Sequence, residues 1–177
     1  MSIISRLLGG VKYRFQSPVE YARSIGVSIG ENCFIPDKTI WPTEPYLIKI
    51  GNNCQITSGV KIFTHGGAHV LRDEIPDFDC FGRVSIGDYV YIGNNSLILP
   101  GVTIGSHVLI AAGSVITKSI GDNVVVAGNP ARIICSIQDY KANNIKYNTH
   151  TKGIPAIKKK HILLNMDERL FIAKPPL

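Results

Sequence analysis

The chain has 177 residues, 45% of them hydrophobic, which suits one domain with a sizeable core. Its formal net charge is +6, and the basic residues are scattered apart from Lys158-Lys159-Lys160. A bias of this size does not require a nucleic-acid partner, and it suits an anionic small molecule. No apolar stretch approaches the length of a membrane-spanning helix, and the apolar run at the N-terminus is too short for a signal peptide.

Residues 1–26 carry no repeat and are predicted to form an N-terminal capping segment. Within it, Ser17 has the features of an N-cap and Pro18 suits the first position of a helix. We expect this segment to cover the end of the next structure, because an open end would offer unpaired strand edges.

The middle of the chain repeats the pattern Ile-Gly-x-x-x-x. Six isoleucines recur at six-residue spacing: Ile86, Ile92, Ile98, Ile104, Ile110 and Ile116. The position four residues after each is small or modest in size: Val90, Ser96, Val102, Val108 and Ser114. A six-residue period fits neither a helix nor a long strand and is typical of a parallel β-helix. With three repeats in each coil, every isoleucine should stack on the third one after it.

The same period extends upstream, with two interruptions. Ile50 follows Ile29 at a distance three residues longer than one coil of three repeats, so these extra residues are predicted to bulge between Pro36 and Tyr46. The distance from Ile62 to Ile86 is one repeat plus a full coil. An insertion about one coil long is therefore predicted to protrude from the β-helix as a loop over residues 64–82. Long loops on a regular scaffold are commonly functional. The β-helix domain is predicted to span residues 27–132.

The four cysteines form no C-x-x-C pair and suggest no zinc site. Cys33 and Cys54 each occupy the small inward position four residues after a repeat isoleucine. Free thiols in a core indicate a reducing compartment, so a cytoplasmic location is expected.

After Thr117 the period slips, and Gly128-Asn129-Pro130-Ala131-Arg132 is predicted to be the turn that ends the repeat. Residues 133–177 are predicted to hold a C-terminal helix and a basic tail. The helix is placed over Ile133–Lys146 with Ser136 as a possible N-cap, and a second small element is placed within Ile162–Phe171.

The hexapeptide run, the loop opening with Thr64-His65 and the closing Gly128–Arg132 turn resemble the hexapeptide-repeat acyltransferases. The resemblance covers about residues 27–135 and is closest to sugar O-acetyltransferases of the galactoside, maltose and capsule or lipopolysaccharide type. It implies an all-β fold, a left-handed parallel β-helix of triangular section with an extruded loop and a short C-terminal helix. It also implies a homotrimer, acetyl-CoA as the donor and a sugar or saccharide as the acceptor.

The resemblance further implies roles for single residues. His65 matches the catalytic histidine, a general base for the acceptor hydroxyl. Asp37 and His69 are assigned to the acceptor, and His69 is the fallback base. The residue that orients His65 is not identified, because Gly66-Gly67 follow it where many relatives have Asp or Pro. The positions at which relatives touch CoA are Asn94, Ala112, Thr117, Lys118 and Arg132.

Other functions remain open at this point. An N-acetyltransferase acting on an amino sugar would also use a base, and a non-enzymatic β-helix could serve assembly. His65, His69 and His107 could suggest a metal site like that of the γ-class carbonic anhydrases, but there the close pair of histidines follows the distant one. No metal is expected, and His107 is interpreted as a solvated turn residue.

Overall fold

The computed structural model describes residues 16–37 and 39–174. The described chain divides into two compact units, one ending at Ile137 and the other beginning at Gln138. Expectations for the capping segment before residue 16 lie outside the described residues.

The first unit is a parallel β-helix of triangular section, built from very short strands. The strands are β1 (Ser28–Ile29), β2 (Ile48–Ile50), β3 (Gln55–Ile56), β4 (Lys61–Ile62), β5 (Val84–Ile86), β6 (Tyr91–Ile92), β7 (Leu97–Ile98), β8 (Thr103–Ile104), β9 (Leu109–Ile110), β10 (Val115–Ile116), β11 (Val124–Gly128) and β12 (Ala131–Ser136). They form sheet A in the order β1-β2-β5-β8, sheet B in the order β12-β11-β9-β6-β3 and sheet C in the order β10-β7-β4. All neighbours are parallel except β11 and β12.

The predicted isoleucine ladder is confirmed. Ile86 pairs with Ile104, Ile92 with Ile110 and Ile98 with Ile116. These side chains are buried, as are the small residues four positions after them. A continuous apolar core therefore runs along the helix, at roughly 1.5–3 kcal/mol for each isoleucine removed from water.

Where a glycine follows an isoleucine of the ladder, as at Gly87, Gly93 and Gly105, adjacent coils approach closely. A Cβ atom placed on Gly87 would lie 2.6 Å from Ser106 Oγ and 2.7 Å from the backbone carbon of Gly105. At the corner between sheets A and B the turn instead needs a positive φ, which Asn32 and Asn53 supply at 56°. The Ile-Gly pattern thus reflects the distance between coils.

The two cysteines predicted to point inward do so to different degrees. Cys54 is buried and Cys33 is partly buried against the core. Burial raises the pKa of the Cys54 thiol to about 11, so it stays neutral near pH 7. Its Sγ donates to the Gly87 carbonyl oxygen at 3.1 Å.

Both interruptions of the repeat fall at the corner between sheets C and A. Ile40 pairs with Lys61, so the three extra residues lie between Ile40 and β2. This stretch includes the 3-10 helix Pro45–Leu47. The long loop leaves the same corner one coil later and carries a 3-10 helix at Ala68–Leu71. The two irregular segments are therefore neighbours in space.

A helix, α1 (Pro18–Ser24), packs beside β1 at the start of the coils. Ser17 is its N-cap, as predicted, and it forms a capping box with Glu20. Ala22 is fully buried, and the Arg23 guanidinium donates to the Ile29 and Gly30 carbonyl oxygens. This segment satisfies backbone groups at the first coil.

The other end of the β-helix differs from the prediction. Residues Ile133 to Ser136, expected to be helical, belong to β12, which returns antiparallel to β11 after the turn at Asn129–Pro130. The hairpin partner supplies the backbone hydrogen bonds that a helix would otherwise provide. The helix begins only at Ile137, directly after Ser136.

The second unit is small and helical, with more helix than the predicted C-terminal helix and the small element placed within Ile162–Phe171. It contains the rest of α2 (Ile137–Asn144), a 3-10 helix at Ile145–Tyr147, α3 (Ala156–Leu164) and a 3-10 helix at Glu168–Leu170. Among residues 16–37 and 39–174, no helix has the length and hydropathy that crossing a membrane requires.

Candidate functional site

His65 lies at the neck of the long loop. The loop is closed where Gly82 N–H donates to the Thr64 carbonyl oxygen at 2.7 Å and His65 bridges antiparallel to Phe81. The isoleucine three residues before His65, Ile62, is anchored in β4. The imidazole is thus held at the edge of the rigid scaffold, about 40% exposed.

Glu44 supplies the partner of His65. Its Oε2 lies 2.7 Å from the buried Nδ1 of the imidazole, although the N–H is not well aligned with that oxygen. Two threonine hydroxyls fix the carboxylate: Thr43 donates to Oε1 at 2.7 Å and Thr64 donates to Oε2 at 3.3 Å. The short separation still places the negative charge of Glu44 against this ring nitrogen.

The carboxylate of Glu44 is held in its charged form. Its pKa is lowered from the ordinary value, mainly by the Thr43 hydrogen bond and with help from the charge of His65, against the opposing effect of burial. A charged acceptor at Nδ1 favours the tautomer that carries its proton there. The lone pair of Nε2 is then available to take a proton from another molecule.

Phe81 forms a wall beside the imidazole. The two ring centroids are 5.6 Å apart, the planes are tilted by 56°, and Phe81 is 51% exposed. Any molecule that reaches His65 from this side therefore meets an aromatic surface.

The remaining predicted residues fall on two different corners. Thr117 and Lys118 follow β10 at the corner between sheets C and A, the same corner as His65. Asn94 and Ala112 lie at the corner between sheets B and C, where the Asn94 carbonyl accepts from Gly113 N–H at 2.8 Å. The exposed surface of sheet C separates the two pairs.

Three of the expected CoA residues share one cavity. Thr117, Lys118 and Arg132 line a space of about 470 Å³ together with Ile133 at the end of the coils. Two cationic side chains on one cavity suit an anionic group such as a phosphate.

The two residues assigned to the acceptor are both exposed. Asp37 is exposed after the strand-like residues Phe34 and Ile35, beside a cavity of about 630 Å³ at the first coil. His69 is exposed in the 3-10 helix of the loop.

No group of three His, Cys, Asp or Glu side chains among the described residues could hold a metal ion. His107 is an exposed corner residue stacked on Tyr89.

Comparison with known proteins identifies the class. Residues 83–118 match the model of the bacterial transferase hexapeptide family (six repeats). Protein CapG of Staphylococcus aureus is 48% identical over 146 residues, 81% of this chain and 85% of CapG. Galactoside O-acetyltransferase of Escherichia coli K12 is 37% identical over 128 residues, 70% of this chain and 61% of that enzyme. The chain belongs to the hexapeptide-repeat acetyltransferases.

A solved structure of a hexapeptide-repeat acetyltransferase agrees with this fold. The galactoside acetyltransferase in complex with coenzyme A superimposes with a TM-score of 0.54 at 28% identity, covering 77% of this chain and 82% of that one. The β-helix described above is the left-handed form of this family. The chain is an acetyltransferase of the galactoside and maltose O-acetyltransferase type.

Glu44 and Phe81 were not predicted from the sequence as residues of this site. Glu44 could have been found, since its separation from His65 along the chain equals that of Ile29 from Ile50. One coil of that length places Glu44 directly against His65. No comparable spacing signals Phe81, whose position depends on how the loop closes.

Proposed function

We propose that the chain transfers an acetyl group from acetyl-CoA to a hydroxyl of a sugar or surface-polysaccharide precursor, with His65 as the general base. The observation that carries this proposal is the contact between His65 Nδ1 and Glu44 Oε2 at the neck of the loop. A histidine with one nitrogen held by a carboxylate and the other directed outward is suited to abstract a hydroxyl proton.

In the proposed reaction, Nε2 of His65 takes the proton of the acceptor hydroxyl as the oxygen attacks the thioester carbonyl carbon. The carbon–sulfur bond then breaks, and His65 returns the proton to the departing thiolate. Glu44 stabilises the imidazolium that exists between these steps. Backbone N–H groups near Gly66 and Gly67 would stabilise the negative oxygen. A Cβ atom built on either glycine would have no other atom within 4 Å, so the space beside this backbone is open to a substrate.

Binding of the donor would use the cationic cavity. Lys118 and Arg132 would contact phosphates, and Thr117 lies beside them. Asn94 and Ala112 sit on the other side of sheet C, so a single CoA that touches all five residues favours a site shared by adjacent copies of the chain. We therefore propose a homotrimer, in which Asp37 and His69 would serve the acceptor.

The outward surfaces of the three sheets support assembly. Sheet A presents Ser28, Lys49, Ser85 and Thr103. Sheets B and C present Gln55 and Lys61 beside a larger set of apolar side chains, among them Phe34, Ile40, Tyr91, Leu97 and Leu109. A neighbouring copy that covers sheets B and C would remove this apolar surface from water.

The proposed compartment follows from the thiols and the donor. The four cysteines of the chain are free, and free thiols persist where the surroundings are reducing. Together with the acetyl-CoA substrate, they favour the cytoplasm.

The proposal is tested by identifying the product. The purified protein is incubated with acetyl-CoA and a panel of galactosides, glucosides and amino sugars, and the products are analysed by mass spectrometry before and after hydroxylamine treatment. We expect an acetylated sugar whose acetyl group is removed by hydroxylamine, as for an ester. A hydroxylamine-resistant product would indicate N-acetylation instead, and no acetylated sugar would contradict the proposed acceptor class.

A further inference from the structure

Nearly all of the net charge belongs to the second unit. Residues 138–177 contain eight Lys or Arg and three Asp or Glu, a net charge of +5 out of +6 for the whole chain. The rest of the chain carries eleven basic and ten acidic residues and is almost neutral. The positive charge is therefore a local feature of the second unit, and neither the acetyl-transfer site nor the β-helix uses it.

Helix α3 combines that charge with exposed apolar side chains. Ile157 is 88% exposed and Leu164 is 74% exposed. They are seven residues apart, so they lie on the same helix face, with Lys160 and His161 between them. We call Ile157, Lys160, His161 and Leu164, together with Lys158 at their border, the α3 face.

The positive charge of the α3 face is not neutralised by described acidic side chains. None of its lysines forms an ion pair with a described residue; in the second unit the ion pair described joins Arg169 to Asp167. The opposite side of α3 carries Ile162 and Leu163, which are partly buried. The helix therefore has its own packing side, and the α3 face is the side left to solvent.

We propose that the α3 face docks the protein on an anionic phospholipid surface. Such a surface offers phosphates to the lysines and hydrocarbon to Ile157 and Leu164, which matches both halves of the face. A nucleic acid would satisfy the lysines but would leave the two apolar side chains in water. A second copy of the face is disfavoured, because it would bring two sets of lysines together. The proposal is independent of the acetyl-transfer chemistry.

The same unit carries further exposed apolar residues. Leu170, Phe171 and Ile172 follow α3 and are each more than a third exposed. Docking of this kind is peripheral and reversible, since α3 has nine residues and a spanning helix needs about 20.

The test uses the full-length protein and sedimentation with two kinds of vesicle, phosphatidylcholine alone and phosphatidylcholine with about one quarter phosphatidylglycerol. We expect binding to the anionic vesicles and little to the neutral ones. Lys158→Gln/Lys160→Gln should weaken the anionic binding roughly 25-fold, taking about fivefold for each lysine. The matched control Lys49→Gln/Arg83→Gln removes the same charge from exposed positions beside sheet A of the β-helix and should have little effect.

A second variant tests the apolar half. Ile157→Ser/Leu164→Ser should keep the helix content by circular dichroism and lose most of the binding that survives in 0.5 M NaCl. Equal binding to both vesicles, or equal weakening by the α3 pair and the control pair, would overturn the proposal. So would tight binding to a short DNA duplex without vesicle binding, which would make nucleic acid the partner.

Discussion

The chemistry of the candidate site depends on how one imidazole is oriented. Gly66 and Gly67, the residues directly after His65, have no side chains that could hold the ring. We propose that Glu44 of the preceding coil orients the ring; Thr43 and Thr64 fix this carboxylate through both of its oxygens. In the proposed mechanism Glu44 is a positioning residue whose charge also stabilises a protonated His65.

Replacing Glu44 tests this role. Glu44→Gln keeps the size of the side chain but removes the charge, and we expect kcat to fall about 10–100-fold, as for other groups that orient a functional histidine. The KM for acetyl-CoA should change little, because the residues proposed to bind the donor lie on later coils. Glu31→Gln, at an exposed carboxylate, is the matched control. Wild-type kcat in Glu44→Gln would show that the carboxylate does not assist the base.

The pH dependence separates the two groups of the pair. The pKa of Glu44 is lowered from its ordinary value. Its carboxylate is therefore charged at any pH above the ordinary value, and it loses the charge only as the pH falls through the lowered pKa. A loss of kcat/KM at mildly acidic pH must therefore come from another group, and protonation of an imidazole base explains it. A pH–rate profile that stays flat down to the titration of carboxylates would argue against a histidine base.

At the scale of an element, two neighbouring residues of β8 have opposite environments, one buried and one facing outward. Ile104 is 1% exposed and stacks between coils, whereas Thr103 points outward. Ile104→Asp should prevent soluble folding, because it loses roughly 1.5–3 kcal/mol of apolar burial and buries an unpaired charge. Thr103→Asp should change stability by about 0.5 kcal/mol or less. Solubility and thermal unfolding followed by circular dichroism measure both, and a well-folded Ile104→Asp protein would refute the coil assignment.

The repeat explains why so much of this element could be predicted. Each isoleucine is placed by the same local rule, so a period of six defines the register of the coils between Ile29 and Ile116 outside the two interruptions. Where the repeat ends, the rule no longer applies: β12 is a strand because β11 pairs with it, a contact that no local pattern of Ile133–Ser136 reveals. His65 was predicted through resemblance, while Glu44 required counting the longer first coil.

At the scale of the whole molecule, the distribution of apolar surface predicts assembly. We expect light scattering to give a particle with three times the 19.3 kDa mass of the chain. Leu97→Arg/Leu109→Arg places charges on sheets C and B and should produce smaller, less active species. Thr103→Arg makes a similar change on sheet A and should leave the trimer intact. An active monomer would contradict the shared site.

The central claim, that His65 is the base of an acetyl transfer, is tested most directly by His65→Ala. Steady-state turnover of acetyl-CoA with the acceptor found in the product assay is measured for this variant and for His69→Ala, and acetyl-CoA binding is measured by calorimetry. We expect His65→Ala to lose about two to four orders of magnitude in kcat while it folds and binds acetyl-CoA normally, and His69→Ala to lose much less. Wild-type turnover in His65→Ala would contradict this account, and if His69→Ala alone were inactive, His69 would be the base.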